Sequence, residues 1–280
     1  MASSPLARRT VVGAILVATA FLSACTSPPQ SIAPANLDIV CEGEGTPTVI
    51  LIPGLDTPAD TFESLQAQIA TDTHVCSYSR AGIGTSPPWP EDLPDPSAGT
   101  AADQLRATLE ANEVSGPFVV LGWSYGGLVT QAFAARHPDA VAGLIFEDSS
   151  MMGQFENEIF DPSSFVEGGR SVDLDGTAEE IEGLSLEGLP VIVLTEGIPP
   201  EGIDGATLEW YTQLHDDLSA LSDDSLHVIA VDAGHAIHWD SEALVEKAVG
   251  TVVDAVRSGD AMSECDDTVW VPYGGECRVG

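Results

Sequence analysis

Short apolar runs alternate along the chain with longer segments whose apolar residues recur every three or four positions. The continuous runs are typical of strands buried on both faces and cover residues 48–52, 74–78, 118–121, 140–146, 190–194 and 226–231. The helical periodicity covers residues 61–70, 101–113, 128–135, 208–221 and 241–256. This alternation predicts an α/β fold with a mostly parallel, doubly wound sheet. A further strand at 37–41 is expected to form a hairpin with 48–52 through the glycine-rich turn 42–45.

Residues 149–189 interrupt this alternation. The segment is acidic and rich in Gly and Ser, and its apolar residues cluster at Met151, Met152, Phe155, Phe160 and Phe165. We predict a small cap over the carboxyl edge of the sheet, inserted in a main domain that covers 37–258. An unstructured surface insertion is the alternative, because Gly, Asp, Glu and Ser dominate the second half of the segment.

The amino terminus has the pattern of an export signal. Arg8 and Arg9 precede a largely apolar run of twelve residues, 11–22, which is too short to span a bilayer as a helix. The sequence Leu22-Ser23-Ala24-Cys25 then resembles a bacterial lipobox, in which cleavage leaves a cysteine that carries lipid. We predict a signal peptide at 1–24, lipidation such as palmitate on Cys25, and a tether at 25–36. A plain secretory signal is the alternative.

The charge of the chain restricts its partners. Against 44 acidic residues there are 9 basic ones, and the net charge is −35. Such a polyanion repels the phosphates of nucleic acids and anionic lipids, so we expect no nucleic-acid partner. Attachment to the extracytoplasmic face of the cell membrane is therefore expected through the lipid on Cys25; without it the protein would be secreted. The oligomeric state is left open.

Four further cysteines remain, and an even number in an exported chain favours disulfides. They are Cys41, Cys76, Cys265 and Cys277. Of the three possible pairings we favour Cys41–Cys76, which would join two neighbouring strands, and Cys265–Cys277, which would close a C-terminal extension at 259–280. A zinc site is the alternative, but no two of them have the short spacing of zinc ligands.

The most specific local pattern follows the apolar run 118–121. There the chain reads Gly122-Trp123-Ser124-Tyr125-Gly126 and continues into a helical segment. Gly-x-Ser-x-Gly between a strand and a helix is typical of a nucleophile elbow, in which small residues let the strand and helix backbones pass closely. The alternative is an ordinary glycine-rich turn.

A serine hydroxyl is a weak nucleophile at neutral pH and needs a base within hydrogen-bond reach. His235 follows the strand at 226–231 and Gly234, ahead of the last helix, and we predict that it is this base. His238 is the rival. His74, His137, His215 and His227 lie in or beside regular elements and are expected to have surface or packing roles.

Four motifs together resemble the α/β-hydrolase family over residues 37–258. They are Ile52-Pro53-Gly54-Leu55, Ser79-Arg80-Ala81-Gly82-Ile83-Gly84-Thr85-Ser86, Gly122-Trp123-Ser124-Tyr125-Gly126 and Gly234-His235. The resemblance implies an oxyanion hole formed by the backbone N–H groups of Leu55 and Tyr125. The family often has His-Gly where this chain has Pro53-Gly54, and Asp-Arg-x-Gly where it has Ser79-Arg80-Ala81-Gly82. Neither departure removes a catalytic group.

The carboxylate that orients the base has several candidates. In most of the family it follows the strand that is 190–194 here, where Glu196, Glu201 and Asp204 are available. The other family location is the end of the preceding strand, where Asp148 lies 24 residues after Ser124. We predict Asp148, followed by Glu196 and then Asp204. A loop-capping role is the alternative for Asp148.

These residues predict an exported, lipid-anchored serine hydrolase that cleaves small-molecule carboxylic esters through an acyl-enzyme on Ser124, without metal or cofactor. Apolar residues near the elbow and in the cap segment, namely Trp123, Met151, Met152 and Phe155, suggest an apolar acyl or alkyl group. The alternatives are an amidase or peptidase, a haloperoxidase-like perhydrolase on the same triad, and a non-catalytic cell-surface binding protein on a hydrolase scaffold.

Overall fold

The computed structural model describes residue 1 and residues 36–278. The rest of the predicted signal peptide (2–24), Cys25 and the tether up to residue 35 lie outside the described residues. The strands are β1 (Ile39–Glu42), β2 (Thr48–Ile52), β3 (Val75–Tyr78), β4 (Phe118–Trp123), β5 (Val141–Glu147), β6 (Val166–Glu167), β7 (Arg170–Ser171), β8 (Pro190–Glu196), β9 (Asp224–Ala230) and β10 (Gly275–Cys277). The helices are α1 (Glu63–Ile69), α2 (Ala98–Ala111), α3 (Tyr125–Arg136), α4 (Leu174–Ile181), α5 (Gly205–Ser219), α6 (Ile237–Asp240), α7 (Glu242–Ser258) and α8 (Asp267–Trp270).

Eight strands form one mixed sheet in the order β1-β3-β2-β4-β5-β8-β9-β10. The six inner strands are parallel, and only the edge strands β1 and β10 run antiparallel to their neighbours. Successive residues of β4 enter opposite apolar cores: Val120 packs with residues of α2 and α3, and Val119 packs with residues of α1 and α7. The sheet is therefore covered on both faces, as the continuous apolar runs predict.

The expected hairpin between the first two strands is wrong. β1 pairs with β3, with Cys41 directly opposite Cys76, and a disulfide joins these two cysteines. β2 cannot take β1 as a partner because both of its edges are already occupied by the parallel strands β3 and β4. The turn after β1 instead runs across the end of α1, where a Cβ on Gly43 would lie 2.4 Å from the carbonyl oxygen of Thr73.

The C-terminal extension contributes an edge strand that the sequence pattern does not predict. β10 pairs with β9, with Gly275 opposite Ala230, and the predicted Cys265–Cys277 disulfide is present. Trp270 of α8 is buried against the core beneath this strand. The extension therefore packs on the main domain as well as being closed by its disulfide.

The segment 149–189 is structured in the described residues. It contains two short 3₁₀ helices, the hairpin of β6 and β7, and helix α4. The Glu180 carboxylate of α4 accepts hydrogen bonds from Ser97 Oγ (2.8 Å) and from the backbone N–H of Gly99 (2.7 Å) at the start of α2. The acidic second half of the segment thus uses a carboxylate to bind N–H and O–H groups at a helix N-terminus.

Among the residues that the structure describes, none of the helices is both long enough and apolar enough to cross a bilayer.

Candidate active site

The turn between β4 and α3 has the geometry of a nucleophile elbow. Ser124 has φ 55° and ψ −125°, a backbone conformation that L-residues rarely adopt and that local packing must impose. A Cβ on Gly122 would lie 2.3 Å from Thr130 Oγ1, and one on Gly126 would lie 2.2 Å from the carbonyl oxygen of Ile52. Glycine is therefore required at both positions, for the close approach that the Gly-x-Ser-x-Gly pattern predicts.

The structure brings Ser124, His235 and Asp148 into one hydrogen-bonded chain. His235 Nε2 lies 2.9 Å from Ser124 Oγ, and His235 Nδ1 lies 2.6 Å from Asp148 Oδ2. With the carboxylate accepting from Nδ1–H, the neutral imidazole presents Nε2 as an acceptor for the serine hydroxyl proton. The Asp148 side chain is fully buried and the His235 side chain is 46% exposed. This arrangement is the one that a serine nucleophile needs.

Asp148 lies at the end of β5 and is held there by hydrogen bonds to the end of the neighbouring strand β8. It follows β5 with φ 39°, and its N–H donates to the Leu194 carbonyl on β8 (2.8 Å). Its second oxygen, Oδ1, accepts from the backbone N–H of Glu196 (3.0 Å). Both carboxylate oxygens therefore accept N–H groups, one from the His235 ring and one from the Glu196 backbone, and these two bonds fix the orientation of the carboxylate. Asp204, the third candidate acid, instead caps α5 by accepting from the backbone N–H of Thr207 (2.8 Å).

The environment of His235 makes it a stronger base. Burial alone would lower the pKa of His235, but the hydrogen bond and the negative charge of Asp148, with smaller contributions from Glu196 and Glu147, outweigh it and raise the pKa. The loop that carries His235 is held by Trp123, whose Nε1–H donates to the His235 carbonyl (2.7 Å).

His238, the rival base, belongs to a second carboxylate–imidazole pair. Its Nδ1 lies 2.6 Å from Glu147 Oε1, which also accepts from the His238 backbone N–H (2.7 Å). Both side chains are buried, and the carbonyl of Glu147 accepts from the N–H of Ser124 (3.1 Å). The pair therefore ties the His235 loop to the elbow. Neither residue lines the cavity at Ser124.

The other four histidines have structural environments. His74 contacts Thr48 Oγ1, His137 pairs with Asp103, and buried His215 approaches the Ser149 carbonyl. His227 lies 2.7 Å from Asp216 Oδ1 through Nδ1 and 2.7 Å from Thr195 Oγ1 through Nε2. This acid–imidazole–hydroxyl chain resembles the one at Ser124, but Thr195 is completely buried and no substrate carbonyl can reach it.

A buried ion pair holds the loop that contains Leu55. Arg80 donates through Nη1 to the Pro53 carbonyl (2.6 Å), through Nη2 to the Gly54 carbonyl, and through Nε to Glu167 Oε1 (2.7 Å). The other oxygen of Glu167 accepts from the backbone N–H of Asp56 (2.7 Å). Three of the first four residues after β2, namely Pro53, Gly54 and Asp56, are therefore fixed by one charged pair.

Glu167 lies in the segment 149–189, so this ion pair also joins that segment to the loop. The sequence interpretation missed this role. Two adjacent glycines with positive φ, Gly168 and Gly169, directly follow Glu167. A Cβ on Gly82 would lie 3.0 Å from Gly168 Cα, so this turn approaches the Arg80 loop closely. The adjacent glycines Gly168 and Gly169 are the feature of the sequence that could have indicated this close contact.

A cavity of about 350 Å³ opens beside Ser124, and Asp148, His235 and Glu196 contribute to its lining. Its apolar walls come from the loop after β2, the segment 149–189 and the chain around α5: Leu55, Ile159, Phe160, Phe165, Ile203 and Leu208. Trp123, Met151, Met152 and Phe155 were suggested as the apolar contacts, and none of them lines this cavity. Trp123 packs against His235 and His238 instead, and Met151 is buried in the core.

Two groups of side chains in the described residues have the composition of a metal site. The ligand atoms of Asp148, Glu196 and His235 lie within 4.8 Å of one another, as do those of Cys41, His74 and Cys76. The two cysteines of the second group form a disulfide and have no thiolate to offer a metal. In the first group, Asp148 and His235 are hydrogen-bonded to each other.

Comparison with known proteins supports the fold. Residues 47–175 match the model of the alpha/beta hydrolase fold family. A thermophilic esterase from Thermogutta terrifontis superposes with a TM-score of 0.60 at 20% identity, over 79% of this chain and 93% of that chain. The chain therefore has the α/β-hydrolase fold.

Two curated relatives extend the comparison. The uncharacterized protein YqjL of Bacillus subtilis (strain 168) is 26% identical over 74% of this chain and 84% of its own length. The pimeloyl-[acyl-carrier protein] methyl ester esterase of Chromobacterium violaceum (strain ATCC 12472) is 37% identical over 39% of each protein. The chain thus spans most of the first relative but well under half of the second. Fold, family model and relatives together place the chain among the hydrolases.

Proposed function

We propose that the protein hydrolyses carboxylic esters of small molecules through an acyl-enzyme on Ser124. The observation that carries this proposal is the continuous hydrogen-bonded chain Ser124–His235–Asp148, which opens on a largely apolar cavity. Both the pimeloyl-[acyl-carrier protein] methyl ester esterase and the Thermogutta terrifontis protein are esterases by name, which favours esters over amides as the substrates of this chain.

In the acylation step, Ser124 Oγ attacks the ester carbonyl carbon while His235 Nε2 takes the hydroxyl proton. The carbonyl oxygen becomes an oxyanion, which the backbone N–H groups of Leu55 and Tyr125 bind. Tyr125 is the first residue of α3, where backbone N–H groups have no partner inside the helix. The bond to the alcohol oxygen then breaks, and His235 returns the proton to the leaving alcohol.

In the deacylation step, a water molecule attacks the acyl carbon and gives its proton to His235. The bond to Ser124 Oγ breaks, the proton returns to the serine, and the carboxylic acid leaves. Asp148 stays ionised throughout: it keeps the Nδ1–H tautomer and stabilises the imidazolium that forms in each half of the reaction.

Labelling with a fluorophosphonate probe tests the nucleophile. We expect the native protein to be labelled, Ser124→Ala to be unlabelled, and the control Ser163→Ala, which removes an exposed serine, to be labelled like the native protein. Equal labelling of Ser124→Ala, or none of the native protein, would favour the non-catalytic binding protein. A panel of p-nitrophenyl esters, aminoacyl amides and a peroxide-dependent halogenation assay separates the esterase from the amidase and the perhydrolase.

We further propose that the protein is exported and anchored by lipid on Cys25. The lipobox-like sequence at 22–25 and the two disulfides, which persist in oxidising compartments, support this proposal. Metabolic labelling with palmitate in a bacterial host should mark the wild type and not Cys25→Ser. Incorporation into Cys25→Ser, or release of the unlabelled wild type into the medium, would contradict the anchor.

A further inference from the structure

The carboxyl group of Glu196 is a buried acid inside the cavity that the proposed mechanism does not use. Glu196 ends β8, is only 5% exposed, and lines the same cavity as Ser124. Its backbone N–H binds Asp148, but its side-chain oxygen Oε2 is buried and has no hydrogen-bond partner among the described residues. Unpaired buried polar atoms are rare in folded proteins and call for an explanation.

The charges around Glu196 decide whether it carries a proton. It faces Asp148 after β5, His235 after β9 and the phenol of Tyr211 on α5. Burial and the negative charge of Asp148 raise the pKa of Glu196 to about 8, although His235 acts in the opposite direction. At neutral pH the group is therefore a neutral acid, which has one O–H to donate.

We propose that Glu196 forms a polar subsite of the cavity, where its carboxyl O–H donates a hydrogen bond to an ether or carbonyl oxygen of the ester substrate. This inference rests on the proposed esterase function and specifies its substrate class. The apolar walls at Phe160, Ile203 and Leu208 would hold hydrocarbon, and the acid would select a chain that carries an oxygen atom at one position.

The test compares matched substrates in which only one atom changes. In p-nitrophenyl hexanoates, an ether oxygen replaces the methylene at C4 or at C5, where it is too far from the ester carbonyl to activate it strongly. The value of kcat/KM is measured relative to the unsubstituted ester in the presence of EDTA. Spontaneous hydrolysis is subtracted at each pH. We expect one position to be favoured about fivefold at pH 6.5, the usual value of one hydrogen bond. The preference should disappear at pH 9, where Glu196 is ionised and has no proton to donate.

Two variants isolate the side chain. Glu196→Gln keeps an N–H donor at every pH, so its preference should persist and become independent of pH. Glu196→Met keeps the length but has no donor, so its preference should be absent throughout. The ratio between substrates cancels any change in overall activity. If Glu196→Met does not fold, the wild type and Glu196→Gln still test the proposal, because the preference should depend on pH in the first and not in the second.

Three results would overturn the proposal. The first is that the wild type shows no preference for an ether oxygen at any position or pH, which would mean that Glu196 makes no hydrogen bond to the substrate. The second is a preference that survives in Glu196→Met. The third is a preference of the wild type for the ether substrate that persists or rises at pH 9, where an ionised carboxyl group has no proton to donate. Hydrolysis of the unsubstituted ester and its loss in Ser124→Ala test the esterase function separately.

Discussion

Replacing Asp148 by its amide tests which acid supports His235. Asp148 accepts two N–H groups, from His235 Nδ1 at 2.6 Å and from the Glu196 backbone at 3.0 Å, and an asparagine has only one oxygen to offer. If that oxygen served His235, the buried N–H of Glu196 would face an NH₂ group, at a cost of about 1–3 kcal/mol. The asparagine therefore turns its oxygen to Glu196 and its NH₂ to His235.

That orientation reverses the tautomer of the imidazole. Nδ1 now accepts from the asparagine NH₂, the ring proton moves to Nε2, and Nε2 can no longer take the proton of Ser124. We expect kcat to fall about 10⁴-fold, the loss that a wrong tautomer causes in a serine triad, which corresponds to about 5.5 kcal/mol. The walls of the cavity are unchanged, so KM should change little. Steady-state hydrolysis of a p-nitrophenyl ester measures both constants, and thermal unfolding checks that the variant is folded.

Two matched amide substitutions complete the experiment. Asp204→Asn keeps a good helix N-cap and lies outside the cavity, so kcat should change less than about twofold. Glu196→Gln keeps the backbone N–H that binds Asp148, so kcat should fall far less than in Asp148→Asn. A loss of several orders of magnitude in Glu196→Gln, with Asp148→Asn nearly unaffected, would refute the assignment of Asp148.

The pH–rate profile should show kcat/KM falling on the acid side, because only neutral His235 is a base. Asp148 raises the pKa of His235, so the inflection should lie above the ordinary pKa of imidazole, and an inflection at or below that ordinary value would contradict this. In the ion pair under the Leu55 loop, Glu167→Gln should lower kcat about tenfold to a hundredfold with less effect on KM, while the exposed control Glu158→Gln should not. Each disulfide should stabilise the fold by an amount that increases with the logarithm of the length of the loop that it closes. In urea titrations we expect the free energy of unfolding to fall by about 4 kcal/mol in Cys41→Ser/Cys76→Ser and by about 3 kcal/mol in Cys265→Ser/Cys277→Ser. The reverse order would argue that the stabilisation does not come from loop entropy.

The inner strands and the elbow could be predicted because their signals are local. A strand buried on both faces is a continuous apolar run, and a tight strand-to-helix turn requires glycine where Gly122 and Gly126 stand. Edge strands lack such a signal. β10 has the sequence Gly-Glu-Cys, with no apolar run, and it is a strand because β9 leaves an edge open for it. The pairing of β1 with β3 likewise depends on the order of the strands in the sheet, which cannot be inferred from the sequence of β1 alone.

The acid at position 148 shows why counting residues could not decide the triad. Asp148 and Glu196 follow or end two parallel neighbours, β5 and β8, so both positions reach the same edge of the sheet. What distinguishes them is direction: the positive φ of Asp148 turns its carboxylate to His235, whereas Glu196 presents its backbone N–H to that carboxylate. Only one acid can hold the imidazole, and the second, kept close by the same strand pairing, becomes neutral. The position at which the family usually places its catalytic acid is therefore free in this chain for another task, such as substrate recognition.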